Sequence, residues 1–437
     1  MKILLIYPPS CSPVSPPYSL THLHSAIKAN SEFDTEILDL NIIYHRKKFP
    51  EAKKAFQNNT QNIGNYFVES TQIYSLENKK VIRGENPEFL KEFIGLIKSK
   101  GADYIALSVV YSSQTFYTYA LLKELKKEGI TCFIGGPAVN HKLLEFGTFL
   151  KDEDALFREI GITKKTDKQI LDFSIYQDYF IPEIVVPIKT VNTCYYKQCT
   201  FCSHHRNLKY QESSLEDIKG TLIRSKAKKA FIIDDMIHKE RLLNIAKIMK
   251  ELNIEWICQL KPDQTWDKKT LEELYSSGLR VVLWGVESAS NRILNLMKKG
   301  TNVDDIEEVL KNSKESRIKN VVYMLFGFPG ETEEEFLESV KFLERNTKYI
   351  DLVSPATFGL QEGTTIYKNP KNFGITNIKT KKRTILDPTI SYELNSGLSQ
   401  DEAEKLKKKY KTRINNVNKV PKWMNLFREH MLFLNQV

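Results

Sequence analysis

Residues 185–205 read VVPIKTVNTCYYKQCTFCSHH, an apolar run followed by three cysteines within nine residues. The run predicts a buried strand, which places Cys194, Cys199 and Cys202 on a loop at the strand's C-terminal end. In a barrel of parallel strands, that end carries the chemistry. Three thiolates on one loop suit an iron–sulfur cluster or zinc, and a cluster held by three cysteines leaves one iron open to a ligand.

Zinc is the alternative for this loop, with His204 or His205 as the fourth ligand. The loop opens a long series of strands and helices, which favours the cluster, with the two histidines beside the metal centre rather than bound to it. Cys11, Cys132 and Cys258 stand apart, and two of them lie in apolar runs. We expect these three to be small buried hydrophobes rather than partners in disulfides.

Strand-like and helical runs alternate after the cysteine loop. The further strand candidates are KAFIID (229–234), IEWICQL (254–260), RVVLWGV (280–286), NVVYMLFGF (320–328) and IDLVSPATF (350–358). Together with the first run they make six strand–helix units, which predicts a partial TIM-like (β/α)6 barrel over residues 185–370. Residues 371–437 look mostly helical and basic, and we expect them to form a small C-terminal region.

The first 140 residues show the same alternation, which predicts a separate Rossmann-like α/β domain on a parallel sheet. Its strand candidates are KILLIYP (2–8), TEILDLNI, DYIALSVV (103–110) and TCFIGG (131–136). The polar stretch from about 45 to 98 predicts a helical insertion, and residues 141–184 predict a linker. Two domains and a small terminal region agree with the length of 437 residues, at roughly 150 residues per domain.

The composition, 41% hydrophobic and 27% charged, excludes disorder for most of the chain. No apolar run reaches the roughly 20 residues that cross a bilayer, and the opening MKILLIYPP lacks a signal peptide's apolar core. We therefore expect a cytoplasmic protein with no membrane partner. The formal charge of +10 is spread over amphipathic segments. A solvated basic surface explains it better than nucleic acid does, and favours an anionic small molecule or acidic peptide.

The cysteine run resembles the cluster loop of radical S-adenosylmethionine (SAM) enzymes, whose usual pattern is Cys-x3-Cys-x-aromatic-Cys. Phe201 stands in the aromatic position. The chain departs from the pattern with four residues in the first gap, a spacing that several cobalamin-associated subgroups share, and without the usual Arg-Gly before the first cysteine. GVESAS (285–290), MLFGFPGETEEEF (324–336) and EGTTIY (362–367) resemble later landmarks of the superfamily, in the expected order.

This resemblance implies the cofactors of the second domain. A 4Fe–4S cluster on the three cysteines would bind SAM at its open iron. One electron from a donor of the flavodoxin or ferredoxin type would then cleave SAM and give a 5′-deoxyadenosyl radical. The cofactors carry the difficult chemistry, and the protein positions them and excludes water.

The resemblance also implies roles for residues at the strand ends. Asp234 and Asp235 would bind the SAM ammonium group, or else cap the next helix. Lys261 would meet the SAM carboxylate, or else be a solvated lysine. Glu287 would hold the ribose. Gly327, Gly330 and Glu331 would form a turn near the adenine, or else an ordinary turn and helix cap.

The stretch ALSVVYSSQTFYTYALLKELKKEGITCFIGGPAV (106–139) resembles the later half of a cobalamin-binding domain. In that family a serine and a Gly-Gly pair line the slot for the nucleotide tail, and here they would be Ser108, Gly135 and Gly136. The Asp-x-His-x-x-Gly motif that supplies a lower cobalt ligand is absent. We therefore expect cobalamin to be held without a protein nitrogen on cobalt. His22 and His24, on the following helix, are interpreted as surface or packing residues.

The resemblance covers roughly residues 1–370 and implies an enzyme. The expected activity is that of a cobalamin-dependent radical SAM methyltransferase acting on an unactivated carbon of a peptide or natural product. The alternative is a radical SAM enzyme whose first domain has lost cobalamin and which catalyses a cyclisation, an epimerisation or another rearrangement. A third interpretation is a non-catalytic protein, stabilised by zinc or a cluster, that binds nucleic acid through its basic surface.

Overall fold

The computed structural model describes residues 1–58, 60–203 and 208–434. The chain forms two units, and each unit is built from three separate segments of the sequence. The first unit comprises Met1–Val186, Glu216–Lys226 and Lys382–Pro388, and the second comprises Pro187–Leu215, Ala227–Lys381 and Thr389–Val437. His204 and His205, the alternative zinc ligands, lie outside the described residues.

A five-stranded parallel sheet forms the centre of the first unit. Its order is β2-β1-β3-β4-β5, and the run from Ile3 to Ile6 in β1 is fully buried, as expected for a parallel sheet covered on both faces. The strand order reverses between β1 and β3, the kind of position where open α/β sheets bind ligands. The strands are β1 (Lys2–Tyr7), β2 (Asp34–Asp39), β3 (Tyr104–Ser108), β4 (Phe133–Gly135) and β5 (Thr148–Phe149).

The helices of the first unit lie between these strands and after them. Four of them follow one another through the polar stretch after β2. The fifth strand and the seventh helix lie in the stretch that the sequence presents as a linker. The helices are α1 (Tyr18–Asn30), α2 (Leu40–Lys48), α3 (Ala52–Asn58), α4 (Thr60–Ile82), α5 (Leu90–Ser99), α6 (Gln114–Lys127) and α7 (Glu153–Ile160), with a 3-10 turn at Leu143–Glu145.

Helix α8 (Leu215–Arg224) also packs in the first unit, although it follows the cysteine loop in the chain. The Thr221 hydroxyl oxygen accepts a hydrogen bond from the Leu171 N–H at 2.9 Å. A Cβ on Gly220 would come within 2.9 Å of the Ile170 side chain, so this helix lies tightly against the segment before β6.

Six strands in sequence order make the sheet of the second unit, β11-β10-β9-β8-β7-β6, and the pairings from β7 to β11 are parallel. The predicted series of six strands is thus confirmed, each strand within a few residues of its apolar run. The strands are β6 (Val185–Ile188), β7 (Lys229–Ile232), β8 (Glu255–Leu260), β9 (Leu279–Glu287), β10 (Lys319–Phe326) and β11 (Leu352–Thr357).

Most of the helices between these strands begin at a polar residue whose side chain accepts a backbone N–H, as Asp267, Ser290, Asn302 and Thr332 do. They are α9 (Lys239–Glu251), α10 (Lys268–Ser276), α11 (Asn291–Leu296), α12 (Val303–Glu315), α13 (Glu333–Arg345) and α14 (Thr365–Lys368), with 3-10 turns at Thr347–Tyr349 and Pro370–Phe373.

The C-terminal region adds an antiparallel hairpin to the helices that the sequence predicts there. Its strands, β12 (Ile375–Lys381) and β13 (Thr389–Leu394), place mostly polar side chains on the surface. The chain ends in α15 (Gln400–Lys409), α16 (Lys411–Asn415) and 3-10 turns at Lys422–Asn425 and Arg428–Phe433.

None of the described helices has both the length and the apolar character that a membrane span requires. Cys11, Cys132 and Cys258 are buried without a disulfide, which confirms their interpretation as small core residues. The three cysteines of the loop differ from them, since all three are partly exposed.

Candidate functional site

The cysteine loop is fastened to two segments that lie far away in the sequence. The Thr200 N–H donates to the Met297 carbonyl at 2.9 Å, and the Thr200 carbonyl accepts the Ile366 N–H at 3.1 Å. The Thr200 hydroxyl donates to the Leu296 carbonyl at 3.1 Å. Phe201 packs against an apolar cluster that includes Phe328. The later landmarks of the sequence therefore hold the loop in place.

Asp234 fixes the entry to the loop. Its carboxylate accepts hydrogen bonds from the N–H groups of Thr190, at 3.0 Å, and Val191, at 3.1 Å, and from the Thr190 hydroxyl. Burial raises its pKa to about 6, against the lowering effect of these bonds. The helix-cap interpretation is wrong, because α9 begins at Lys239 with His238 as its N-cap. Asp235, half-buried beside it, makes its own contacts.

The three thiols suit a cluster in their chemistry and partial exposure. Burial raises the pKa of Cys199, and the nearby Lys299 opposes that shift. Across the described residues, no three His, Cys, Asp or Glu side chains are gathered as ligands of one metal ion. A cluster spaces its cysteines more widely, because each binds a different iron, and Cys194 and Cys202 both lie close enough to Cys199 to raise its pKa. The donor set therefore fits an iron–sulfur cluster on this loop.

The four-residue gap between the first two cysteines carries two aromatic rings. Tyr195 stacks on His238 with ring centroids 3.8 Å apart. Tyr196 donates its hydroxyl hydrogen to the Lys298 carbonyl at 2.8 Å, and Lys261 Nζ lies 4.1 Å from the centre of its ring. The longer gap therefore attaches the loop to the start of α9 and to the segments that follow β8 and α11.

Lys261 lies at this attachment and is not a solvated lysine, since only 8% of it is exposed. Its Nζ is 3.0 Å from Asp263 Oδ2 and donates to the Gly300 carbonyl at 3.1 Å. With a carboxylate, a carbonyl and the Tyr196 ring around it, Lys261 supports the loop.

Glu287 pairs with a lysine that the sequence analysis missed. Lys299 Nζ lies 2.9 Å from Glu287 Oε1 and 5.9 Å from the centre of the Phe201 ring. Glu287 adopts φ +69°, which a non-glycine residue seldom does outside turns and functional sites. Burial lowers the pKa of Lys299, but Glu287 and Cys199 outweigh it and the pKa is raised. The signal for Lys299 was its place in MKKGT, directly after GVESAS and its helix.

The turn after β10 is formed by the glycines that the resemblance indicated. A Cβ on Gly327 would come within 2.4 Å of the Ala403 Cβ, and Gly327 has φ +75°. The Gly327 N–H donates to Glu331 Oε2, while Glu331 Oε1 has no hydrogen-bond partner among the described residues. Gly330 precedes the capping box of Thr332. The ordinary turn-and-cap interpretation is therefore correct for the backbone, and Glu331 is left as a fully buried carboxyl group.

The structure brings one group of these residues together and separates the others. Lys299, Glu287, Phe201 and Cys199 lie near one another, whereas Glu331 lies under the turn after β10. Asp234 lies at the start of the cysteine loop. The SAM candidates therefore surround the loop from different strand ends of the second unit.

The slot residues of the first unit lie at the C-terminal ends of β3 and β4. The Ser108 and Ser19 hydroxyl oxygens are 2.8 Å apart, a contact that the sequence analysis missed. A Cβ on Gly136 would come within 2.4 Å of the Val109 carbonyl oxygen. Gly135 pairs with Ser108 in register, and Gly136 is exposed. A ligand could therefore approach this backbone from outside the sheet.

The histidines of α1 are surface or packing residues, as expected. His22 Nδ1 lies 3.4 Å from Glu153 Oε2, and burial lowers the pKa of His24. Most of the loop between β1 and α1 is buried, and its Cys11 N–H donates to Asn41 Oδ1 at 2.9 Å. No histidine stands in this loop.

Sequence comparisons give one family and several relatives. The model of the radical SAM superfamily matches residues 188–343. An uncharacterized methyltransferase of Pyrococcus horikoshii is 25% identical over 223 residues, covering 48% of each chain. The ribosomal protein uS12 methylthiotransferase RimO of a Thermoanaerobacter species is 27% identical over 223 residues, covering 45% of this chain and 49% of its own. The matched part thus spans about half the length of these curated relatives.

Two solved structures share the fold over almost the whole chain. The radical SAM methyltransferase TsrM of Kitasatospora setae, with cobalamin and a 4Fe–4S cluster bound, superposes with a TM-score of 0.62 at 14% identity, covering 92% of this chain and 87% of its own. The cobalamin-dependent SAM radical enzyme OxsB, with aqua-cobalamin bound, gives 0.65 at 14% identity, covering 99% and 72%. Because the family model begins at the end of β6 and spans the cysteine loop, residues 188–343 of this chain match the radical SAM superfamily, and the chain shares the fold of these two cobalamin-dependent enzymes.

Proposed function

We propose that this chain is a cobalamin-dependent radical SAM methyltransferase that methylates an unactivated carbon of a peptide or natural product. The observation that carries the proposal is the pair of domains in one chain. A three-cysteine loop opens the second sheet, and a partly exposed Gly-Gly edge with paired serine hydroxyls ends two strands of the first. Methyltransferases and methylthiotransferases among the relatives support the reaction class.

The residues of the second unit would divide the work of holding the cluster and SAM. Cys194, Cys199 and Cys202 would bind the cluster, and Glu287 with Lys299 would present one negative and one positive group to SAM. Phe201 packs in an apolar cluster and would keep water away from the thiolates. Asp235, Gly327, Gly330 and Glu331 remain candidates for further contacts with SAM.

In the first unit, the Ser19 hydroxyl would orient the Ser108 hydroxyl toward the nucleotide tail of cobalamin. The partly exposed backbone of Gly135 and Gly136 would lie along the same ligand. When bound, the cluster with SAM supplies a hydrogen-abstracting radical, and cobalamin supplies a methyl group that can be transferred. An electron carrier of the flavodoxin or ferredoxin type would supply the reducing electron.

The test uses protein reconstituted without oxygen, with iron and sulfide. We expect a reducible cluster whose paramagnetic signal changes on addition of SAM, release of 5′-deoxyadenosine under dithionite, and a corrinoid spectrum that remains after gel filtration with hydroxocobalamin. SAM with a deuterated methyl group should pass that label to the product, detected by mass spectrometry of candidate peptides. A protein that shows none of these signals, with iron and sulfide incorporated, would contradict the proposal.

The second candidate is a radical SAM enzyme of rearrangement without cobalamin, and the absence of a histidine between β1 and α1 is the observation that favours it. It predicts 5′-deoxyadenosine without a bound corrinoid and a product with no added methyl group. The same reconstituted sample therefore separates the two candidates.

A further inference from the structure

A basic, partly aromatic surface lies directly beside the cysteine loop. Tyr195 follows the first cluster cysteine, and its ring stacks on His238, which is exposed. The Tyr210 ring makes an edge-to-face contact with the His238 ring, with ring centroids 5.3 Å apart. Packed side chains therefore connect the surface, at His238, to Tyr195, the residue that follows Cys194.

Two lysines lie in the same segments of chain as these rings. Lys197 Nζ donates to the Leu208 carbonyl, and Lys209, the next residue, is exposed. Leu208 itself is 47% exposed. We call the surface formed by Tyr195, Lys197, Lys209, Tyr210 and His238 the cluster-loop patch.

The charge of the patch is one-sided. From Ile184 to Gln211 the sequence has four Lys or Arg residues and no Asp or Glu. The carboxylates that flank the patch are already engaged, since Asp263 pairs with Lys261 at 3.0 Å, and Glu212 accepts the Tyr210 hydroxyl at 3.1 Å and lies 3.6 Å from Arg241. Within the described residues, neither Lys197 nor Lys209 has a carboxylate partner. A positive field therefore faces outward beside the loop.

We propose that the cluster-loop patch is the docking surface for a small, acidic electron-carrier protein that reduces the cluster. The inference rests on the proposed function and names the surface that its electron donor would use. The lysines of the patch would steer an acidic face into contact, and exposed Leu208 and His238 would form the dry centre of a small, transient interface.

The step that the patch serves is a single electron transfer. One electron leaves the reduced cofactor of the carrier, which is oxidised by one unit, and enters the cluster, which is reduced by one unit. No bond forms or breaks. The stacked rings of Tyr195 and His238 contribute to this transfer because they fill the space between the carrier and Cys194 with packed atoms.

The experiment measures bleaching of the cluster absorbance in stopped flow, with flavodoxin hydroquinone as the protein reductant and dithionite as the small one. The test variant is Lys197→Glu with Lys209→Glu. The matched control is Lys405→Glu with Lys408→Glu, two exposed lysines on α15, which packs by β11 at the other edge of the sheet. Both variants change the net charge equally.

We expect the flavodoxin rate of the test variant to fall at least tenfold at low salt and to lose most of its dependence on salt, because exchanging two lysines for glutamates cancels the positive charge that steers association. The dithionite rate should stay within about twofold of the natural protein, and the control variant should keep both rates. Lys209→Glu alone, which leaves the cysteine loop unchanged, should lower the flavodoxin rate about threefold.

An unchanged flavodoxin rate in the double variant overturns the proposal, as does an equal fall in the dithionite rate or in the control variant. A single-stranded oligonucleotide that binds the natural protein and loses affinity in the double variant, with flavodoxin reduction intact, assigns the patch to nucleic acid instead. If dithionite bleaches no cluster in the natural protein, the proposed function fails, and the docking proposal fails with it.

Discussion

Asp234 shapes the path of the chain into the cysteine loop. Four donor–acceptor contacts reach its two oxygens from Thr190 and Val191, and all three residues are buried. A buried carboxylate with this many donors acts as the anchor of a turn. It is therefore less available to a ligand than its position at a strand end indicates.

Replacing Asp234 with alanine should loosen the loop and its metal. The substitution leaves buried N–H groups of Thr190 and Val191 without partners, which costs about 2 to 4 kcal/mol of unfolding free energy. We also expect less iron per chain after reconstitution. Urea denaturation and iron analysis measure the two effects. Asp304→Ala, at an exposed position on α12, is the control and should change the unfolding free energy by under about 0.5 kcal/mol. A stable variant with full iron content would show that the anchor is dispensable.

Glu331 is a second buried carboxyl group with a different consequence. Burial raises its pKa from 4.5 to about 8, and only one of its oxygens, Oε2, has a partner among the described residues. In the unfolded chain the group ionises near pH 4.5, whereas in the folded chain it keeps its proton up to about pH 8. Folded protein thus binds more protons between these values, and stability falls as pH rises through that window.

Glu331→Gln should remove this part of the pH dependence. The amide oxygen of glutamine can still accept the Gly327 N–H. Because glutamine does not ionise, its burial costs the same free energy at every pH. We expect the variant to equal the natural protein near pH 4.5 and to exceed it in urea midpoint at pH 8. Parallel urea curves from pH 4.5 to 8 make the comparison. If the urea midpoints of both proteins changed with pH by the same amount, the expected role of Glu331 would be contradicted.

At the scale of elements, the ends of β9 and β10 meet the cysteine loop through the space that a glycine leaves. A Cβ on Gly285 would come within 2.8 Å of Lys299 Nζ and 3.0 Å of Glu287 Oε1. The ion pair of Glu287 and Lys299 therefore lies where a side chain of β9 would otherwise stand. The missing side chain is what lets this pair approach the Phe201 ring.

Gly285→Ala should displace the ion pair while leaving the sheet intact. We expect the dissociation constant of SAM to rise about tenfold, which is about 1.4 kcal/mol, because the paired groups must shift. Equilibrium dialysis with the oxidised, cluster-loaded protein measures it without turnover. Gly359→Ala is the control, since a Cβ there meets nothing within 4 Å. Equal affinity in the two variants would show that the pair does not touch SAM.

The sequence was most informative where elements are buried and least informative where tertiary contacts decide. Runs such as VVLWGV (281–286) form buried strands because both faces of a covered parallel sheet are apolar. The hairpin of β12 and β13 was missed because its strands are mostly exposed and polar. The anchoring role of Asp234 and the pairing of Lys299 depend on neighbours far away in the sequence, which no local pattern indicates.

At the scale of the whole molecule, the metal-binding and slot residues belong to separate units. Cys194, Cys199 and Cys202 lie in the second unit, and Ser19 and Ser108 lie in the first. Each unit has its own sheet and its own buried core. The two proposed cofactor sites therefore rest on different sets of contacts.

Loss of one proposed cofactor should leave the other bound. With all three cysteines changed to alanine, we expect no cluster but unchanged hydroxocobalamin affinity in an absorbance titration. With Ser19→Ala and Ser108→Ala together, we expect affinity for hydroxocobalamin to fall about tenfold and iron content to stay the same, since a pair of partly buried hydroxyls contributes roughly 1 to 2 kcal/mol. Loss of both cofactors from either variant would contradict this independence.

The position of α8 has a consequence for attempts to isolate the catalytic half. The helix follows the cysteine loop in the chain, yet it contacts residues 169–172, as when Arg224 pairs with Asp172 at 3.2 Å. A fragment starting at Val185 would carry the helix without the residues that cover its buried face. That apolar face would then be exposed to solvent and would promote aggregation. Because the chain crosses between the two units five times, separating them as modules would need five junctions instead of one.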